Sequence, residues 1–200
     1  PQEGNQLWKN LIAQGQTALT TAFAISGGGT KIACDSDDEL MLGYGMKTAA
    51  KGDTVADWEE VLDGIDIDKV NFHLPIDSWV NLAMFIVAAE KKGYDRRTLT
   101  GGSSAQVRLI LYPENKGNPF IDMVEFCTNE MPNWNAFYID AANIRDGGLT
   151  AVQELAWGIA VGKDGIREVL KRGIDIDRFG PRIQSYVNAG SDFFEEIAKF

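Results

Sequence analysis

The stretch Ala136-Phe-Tyr-Ile-Asp140 through Asn143-Ile-Arg-Asp-Gly-Gly148 to Thr150-Ala-Val-Gln-Glu-Leu-Ala156 decides the fold. Ala136 to Asp140 reads as a strand, and Thr150 to Arg172 as a helix in one or two pieces. The same alternation runs outward in both directions. Further strands are expected at Ala18 to Ile25, Val70 to Ile76, Val107 to Leu111 and Arg182 to Val187. Further helices are expected at Asn5 to Gly15, Val55 to Asp63, Ser78 to Lys92, Pro119 to Asn129 and from Ser191 onward, with Ser191 as N-cap. Strands alternating with helices predict βα units and a parallel sheet, and so an α/β fold.

A short repeat supports the unit structure. Gly64-Ile-Asp-Ile-Asp-Lys-Val70 recurs as Gly173-Ile-Asp-Ile-Asp-Arg-Phe179, each between a helical pattern and a strand pattern. Glycine is the expected residue just past a helix, where the chain turns into the left-handed region. The acidic residues then make a solvated turn.

With 200 residues the chain can bury one sizeable core. Its net charge is −10, which disfavours nucleic acid as a partner, because phosphate binding needs basic footprints. An anionic ligand would need a local Arg or Lys. Two cysteines, Cys34 and Cys127, make no disulfide framework and read as reduced thiols of a cytoplasmic protein. No apolar run reaches the roughly 18 residues of a membrane span, and no signal peptide is visible. The chain opens at Pro1 and stops at Phe200 within a helical pattern, which suggests a piece of a longer protein.

Few residues offer chemistry on their own. The one histidine, His73, stands in Asn71-Phe-His-Leu-Pro75 and shares a strand face with Asn71 and Pro75. It either faces a barrel interior or forms ordinary hydrogen bonds in a core. One His builds neither a His-rich metal site nor, without a G-x-S-x-G elbow, a convincing hydrolase triad. Asp35, Asp37, Asp38 and Glu39 are a conceivable cation site or a solvated acidic loop. Gly27-Gly28-Gly29 and Gly101-Gly102-Ser103-Ser104 either cradle phosphate or form flexible βα loops, and neither has dinucleotide-fold or Walker spacing.

Taken together with Met131-Pro-Asn-Trp-Asn135, Phe179-Gly-Pro-Arg182 and Asp192-Phe-Phe-Glu-Glu-Ile-Ala-Lys199, the opening stretch resembles the substrate-binding barrel of the coenzyme B12-dependent acyl-CoA mutases, the methylmalonyl-CoA mutase family. So do Pro1 to Asn5, Gly15 to Phe23, Cys34 to Asp37, Asp63 to Val70 and Leu82 to Glu90; the weakest part runs from Leu99 to Asn118. The resemblance implies a partial or rearranged (β/α)8 barrel with parallel strands, in which the acyl-CoA lies along the axis. It implies that residues 1–200 are a single partial barrel domain, shorter at both ends than its relatives and without their cobalamin-binding domain. Five strands would leave two open edges, so self-association or pairing with another chain is expected.

The resemblance also implies roles for residues. The family histidine that hydrogen-bonds the thioester carbonyl, in a S-G-Y-H-[IM] motif, falls on Asn143. An amide can still donate one hydrogen bond but cannot titrate near neutral pH. The family arginine expected to contact CoA is kept as Arg182, and the serine two residues on is Gln184. The acyl-pocket strand end T-I-Q-N-D falls on Gly102-Ser-Ser-Ala-Gln106. Expected substrate contacts are therefore Arg182, Arg145, Gln106, Gly101 and Gly102, with Asn143 at the catalytic position; the alternative for both arginines is structural ion pairing. The implied function is the substrate-binding part of a radical 1,2-mutase, an isomerase. It would need adenosylcobalamin from a separate domain or subunit and be inactive alone. The alternative is a non-catalytic, mutase-derived binding or assembly protein.

Overall fold

The computed structural model describes residues 1–20, 54–74, 78–103 and 119–199. They fall into two compact units, Pro1–Ser103 with Glu130–Trp134, and Ser104–Asn129 with Asn135–Phe200.

In the first unit, helix α1 (Gln2–Ala13) leads to strand β1 (Ala18–Thr20). Helix α2 (Val55–Val61), strand β2 (Asn71–Leu74), helix α3 (Ser78–Lys91) and strand β3 (Gly101–Ser103) follow. Strand β4 (Trp134–Asn135) completes a sheet of order β1-β2-β3-β4. β1 pairs parallel with β2, and β2 parallel with β3.

Local chemistry accounts for these elements. Thr54 caps α2 by accepting from the Asp57 N–H, while the Asp57 carboxylate accepts from the Thr54 N–H. That reciprocal pair satisfies two otherwise orphaned helix donors. α3 buries Leu82, Phe85, Ile86 and Ala89, one helical face at three- and four-residue spacing. Phe85 of this face packs on Phe72 of β2. Aromatic rings link the layers: Trp8 meets Phe72 at 5.8 Å, Phe72 meets Phe85 at 5.0 Å, and Phe85 meets Trp58 and Trp134, each at 5.6 Å. The Asn5 amide ties α1 to the end of α2, donating to the carbonyls of Val61 (2.8 Å) and Asp63 (2.7 Å).

In the second unit, helix α4 (Pro119–Glu130) precedes strand β5 (Phe137–Asp140). The short helix α5 (Ala142–Asp146), the long helix α6 (Ala151–Lys171), the turn α7 (Ile176–Phe179) and strand β6 (Ile183–Tyr186) follow. Helix α8 (Phe193–Ala198) is last. β5 and β6 are parallel, with Phe137 opposite Ile183 and Asp140 opposite Tyr186. α6 is one continuous helix with a Thr150–Gln153 capping box. It lays Glu154, Gly158, Gly162, Gly165 and Val169 on its buried face. The glycines let it lie close on β5: a Cβ at Gly158 would stand 3.3 Å from the Ala141 Cβ.

The repeated Gly-Ile-Asp-Ile-Asp segment builds the same local structure twice. Gly64 and Gly173 have φ of +66° and +79°, each followed by a buried isoleucine, Ile65 or Ile174. A helical turn and then a strand follow in both cases: Ile67–Lys69 before β2, and α7 before β6.

The structure revises several sequence expectations. Gly101 and Gly102 form strand β3, not a loop; this short strand lacks the branched side chains by which a sequence signals one. A Cβ at Gly101 would stand 2.2 Å from the Phe72 carbonyl oxygen and 2.5 Å from the Trp134 ring, so this position accepts glycine on packing grounds. The N-cap of α8 is Asp192, whose carboxylate accepts from the Phe194 and Glu195 N–H groups, rather than Ser191. β4, α5 and α7 are too short for their periodicity to show in the sequence. The observed class is mixed α/β with parallel strands, and the described strands lie in one four-stranded and one two-stranded sheet. Gln106, Cys34, the Asp35 to Glu39 cluster, Gly27 to Gly29 and the strand expected at Val107 to Leu111 lie outside the described residues.

Candidate functional site

In parallel α/β architectures ligands gather at the C-terminal ends of strands. In the second unit that end lies at Asp140 and Tyr186. The Ala141 N–H donates to the Tyr186 carbonyl at 2.9 Å, which continues the ladder and launches α5 from the strand end. α5 carries Asn143 and Arg145. Both expected site residues thus come together at this end.

Arg145 is engaged by a neighbour. Its Nη2 pairs with Glu195 of α8 at 2.7 Å, while its Nη1 is buried without a hydrogen-bond partner among the described residues. The structural alternative, ion pairing, therefore holds for one edge of this guanidinium.

A charged network stands beside it. Glu154 is fully buried near the start of α6, and its Oε1 accepts from the Asn188 N–H at 2.6 Å. Its Oε2 is 3.6 Å from the Lys199 ammonium, whose side chain is 2% exposed. Lys199 also pairs with Glu196 at 2.9 Å and donates to the Asn188 carbonyl. Asn188 in turn donates to Asp146 of α5. The Gly190 N–H, and after it Lys199, holds the Glu196 carboxyl below the usual carboxylate range. Sequence reading missed this network. The available signal was Glu154 itself, a carboxylate in register with three glycines on the buried face of α6.

Arg182 lies elsewhere. It ends the turn Gly180–Arg182 that leads into β6, so it stands at the N-terminal end of the β5–β6 pair. Three residue steps along β6, about 10 Å, separate the two ends of that strand. The strand faces differ as well. Phe137 packs on Phe120 (5.2 Å) and Phe179 (6.0 Å), and Ile139 lies under α6. Tyr138, Gln184 and Tyr186 share the opposite face, with the two tyrosine rings stacked at 6.4 Å. Gln184 also donates to the Asn135 carbonyl at 3.4 Å.

In the first unit, His73 is half-buried on β2, between register partners Thr20 and Gly102. Burial pulls its pKa below the ordinary 6.5, so the ring is neutral at pH 7. Cys127 is buried and its thiol is pushed up to about 12, which makes it inert.

No group of three or more His, Cys, Asp or Glu suited to a metal ion occurs among the described residues. The one imidazole of the chain is held within a row of three strands. Among the same residues, no helix is long and apolar enough to cross a membrane.

Comparison with known proteins identifies the family. A family model described as methylmalonyl-CoA mutase matches residues 1–200. The 2-hydroxyisobutanoyl-CoA mutase large subunit of Aquincola tertiaricarbonis is 31% identical over 209 residues, covering 100% of this chain and 37% of that protein. The methylmalonyl-CoA mutase of Rhizobium meliloti is 30% identical over 205 residues, covering 98% of this chain and 28% of that protein. The mitochondrial methylmalonyl-CoA mutase of Bos taurus is 30% identical over 208 residues, covering 99% and 27%. The chain thus spans between roughly a quarter and two-fifths of these relatives, and it belongs to the methylmalonyl-CoA mutase family.

Proposed function

We propose that these residues are the substrate-binding part of a cobalamin-dependent acyl-CoA mutase, within a (β/α)8-type barrel that takes a methylmalonyl-CoA-like thioester. The observation that carries this reading is the placement of Arg182 and Asn143 at opposite ends of the parallel β5–β6 pair. An acyl-CoA is long, anionic at one end and a thioester at the other. Arg182 suits the phosphates by charge. Asn143 suits the carbonyl, since an amide N–H can hydrogen-bond its oxygen.

Arg145, Gln106, Gly101 and Gly102 complete the proposed substrate contacts. Adenosylcobalamin, when bound, would supply the radical that starts the rearrangement, from a separate domain or subunit. The 200 residues alone would bind substrate without turning it over. An amide at position 143 cannot transfer a proton as an imidazole does. We place the chain in the cytoplasm as a homo-oligomer that covers its open sheet edges, without nucleic-acid or membrane partners.

Calorimetric titration with methylmalonyl-CoA, isobutyryl-CoA and free CoA tests the reading. Saturable heat that Arg182→Ala weakens in all three, while Asn143→Ala weakens only the two thioesters, is expected. Absence of heat with every ligand overturns it.

A second reading rests on Asn143 replacing the imidazole: a mutase-derived binding or assembly protein without catalysis. Thioester binding with no rearranged product, in the presence of adenosylcobalamin and a cobalamin-binding subunit, favours it.

A further inference from the structure

We propose that Asn188, in the turn between β6 and α8, is a positioning residue: it clamps the short helix α5 at the C-terminal end of β5 and so places Asn143. The proposal rests on the acyl-CoA reading above, in which Asn143 meets the thioester carbonyl. It adds to that reading the residues that fix where α5 stands.

α5 cannot hold itself. Its five residues, Ala142–Asp146, fall well short of the length at which a helix is stable alone. Just ahead of it, the Ala141 N–H is fixed to the Tyr186 carbonyl at 2.9 Å. Just behind it come Gly147 and Gly148, the latter with φ of +104°, and glycine restrains a chain least of all residues. What keeps the C-terminal half of α5 in place must therefore come from the side.

Two ties do so. Asn188 Nδ2 donates to the Asp146 carboxylate, and Arg145 Nη2 pairs with Glu195 at 2.7 Å. Their far ends are held differently. Glu195 is part-exposed on α8, a helix of six residues. Asn188 is held at both of its backbone groups by buried charges. Its N–H donates to Glu154 Oε1 at 2.6 Å, and its carbonyl accepts from the Lys199 ammonium. Charge-assisted bonds away from water are strong, and these two fix the backbone they meet. The Asn188 amide is thereby aimed at Asp146, less than one helical turn past Asn143.

A buried ion pair adds little stability over an apolar pair of the same size. Here both buried charges converge on the backbone of one turn residue, which is what holding its side chain in place requires.

The full chain is compared with Asn188→Asp and with Asn188→Asp combined with Asp146→Asn. The single change sets two carboxylates against each other. The double change restores an amide–carboxylate bond with its direction reversed. Hydrogen exchange over residues 142–148 reads the clamp, with α6 as the control for the global fold. Calorimetry with isobutyryl-CoA and with free CoA reads its consequence. Asn188→Asp should speed α5 exchange and weaken isobutyryl-CoA, each about fivefold, the loss of roughly one net hydrogen bond. Free CoA should bind as before, because it has no thioester carbonyl to place. The double variant should restore both values. Asn188→Ala, which removes the tie without adding a charge, makes the same test if Asn188→Asp does not fold. Unchanged α5 exchange overturns the clamp. Faster exchange with both ligands weakened alike, or neither, overturns the positioning role and leaves the acyl-CoA reading standing. Absence of heat with either ligand from the unaltered chain overturns that reading, and the positioning role with it.

Discussion

Gly101 lies so close against β2 that a Cβ there would stand 2.2 Å from the carbonyl oxygen of Phe72. Backbone cannot step aside as a side chain can. The Trp134 ring closes the other direction at 2.5 Å and is itself fixed by its indole N–H, which donates to the Ser103 hydroxyl at 2.9 Å. Gly101→Ala should destabilise the fold by about 3 kcal/mol, the upper end of overpacking costs. Denaturant unfolding measures it; a loss under about 1 kcal/mol would contradict this close approach.

Gly162 makes a controlled contrast. Its Cβ would meet the Ile139 Cδ1 at 2.6 Å, the far end of a flexible side chain. Alanine also gains about 1 kcal/mol over glycine inside a helix. The two effects oppose each other, so Gly162→Ala should change stability by less than about 1 kcal/mol. The same unfolding experiment, run beside Gly101→Ala, checks the ordering.

The regular parts of this fold were legible because their chemistry is periodic. The buried face of α3 and the paired Gly-Ile-Asp-Ile-Asp turns follow from spacing and from the left-handed glycine. β3 was illegible for the opposite reason. Its residues Gly101, Gly102 and Ser103 carry no strand signal, and what makes them a strand is the neighbouring Phe72 and Trp134. The candidate site divides in the same way. Asn143 and Arg182 are expected from the family motifs, whereas the Glu154–Lys199 pair joins residues 45 positions apart and depends on tertiary packing.

That pair carries its own prediction. Glu154 is fully buried and the Lys199 side chain is 2% exposed, so removing one charge strands the other. Glu154→Ala should cost about 3 kcal/mol, while Glu154→Gln with Lys199→Met should recover a good part of it. A double-mutant cycle by thermal or urea unfolding measures the coupling. Additive losses would show that the two charges do not interact.

His73 gives the fold a pH dependence of known sign. Its folded pKa lies below the unfolded value near 6.5, because burial disfavours the charged ring. Above 6.5 both states are neutral and the stability is fully present. As pH falls from 6.5 through the folded pKa, the unfolded chain binds a proton first, and stability is lost. His73→Gln should flatten that part of a melting-temperature profile without altering it above pH 7. An unchanged slope below 6.5 would mean that the ring is not buried in the native state.

The last helix is built with its polarity reversed. The side of α8 that meets the rest of its unit is polar: Glu195 reaches Arg145, and Glu196 accepts from the Gly190 N–H at 2.8 Å. Its large apolar side chains point outward, with Phe193, Phe194 and Ile197 exposed by 70%, 79% and 58%. α6 adds Val152 and Ile159, exposed by 78% and 63%. Such a surface is unfavourable in water. The chain should therefore self-associate at micromolar concentration, and Phe193→Ser with Phe194→Ser should shift the assembly toward monomer. Light scattering at several concentrations reads both. A monomer at every concentration would show that these faces tolerate water, and the self-association proposal would fail with it.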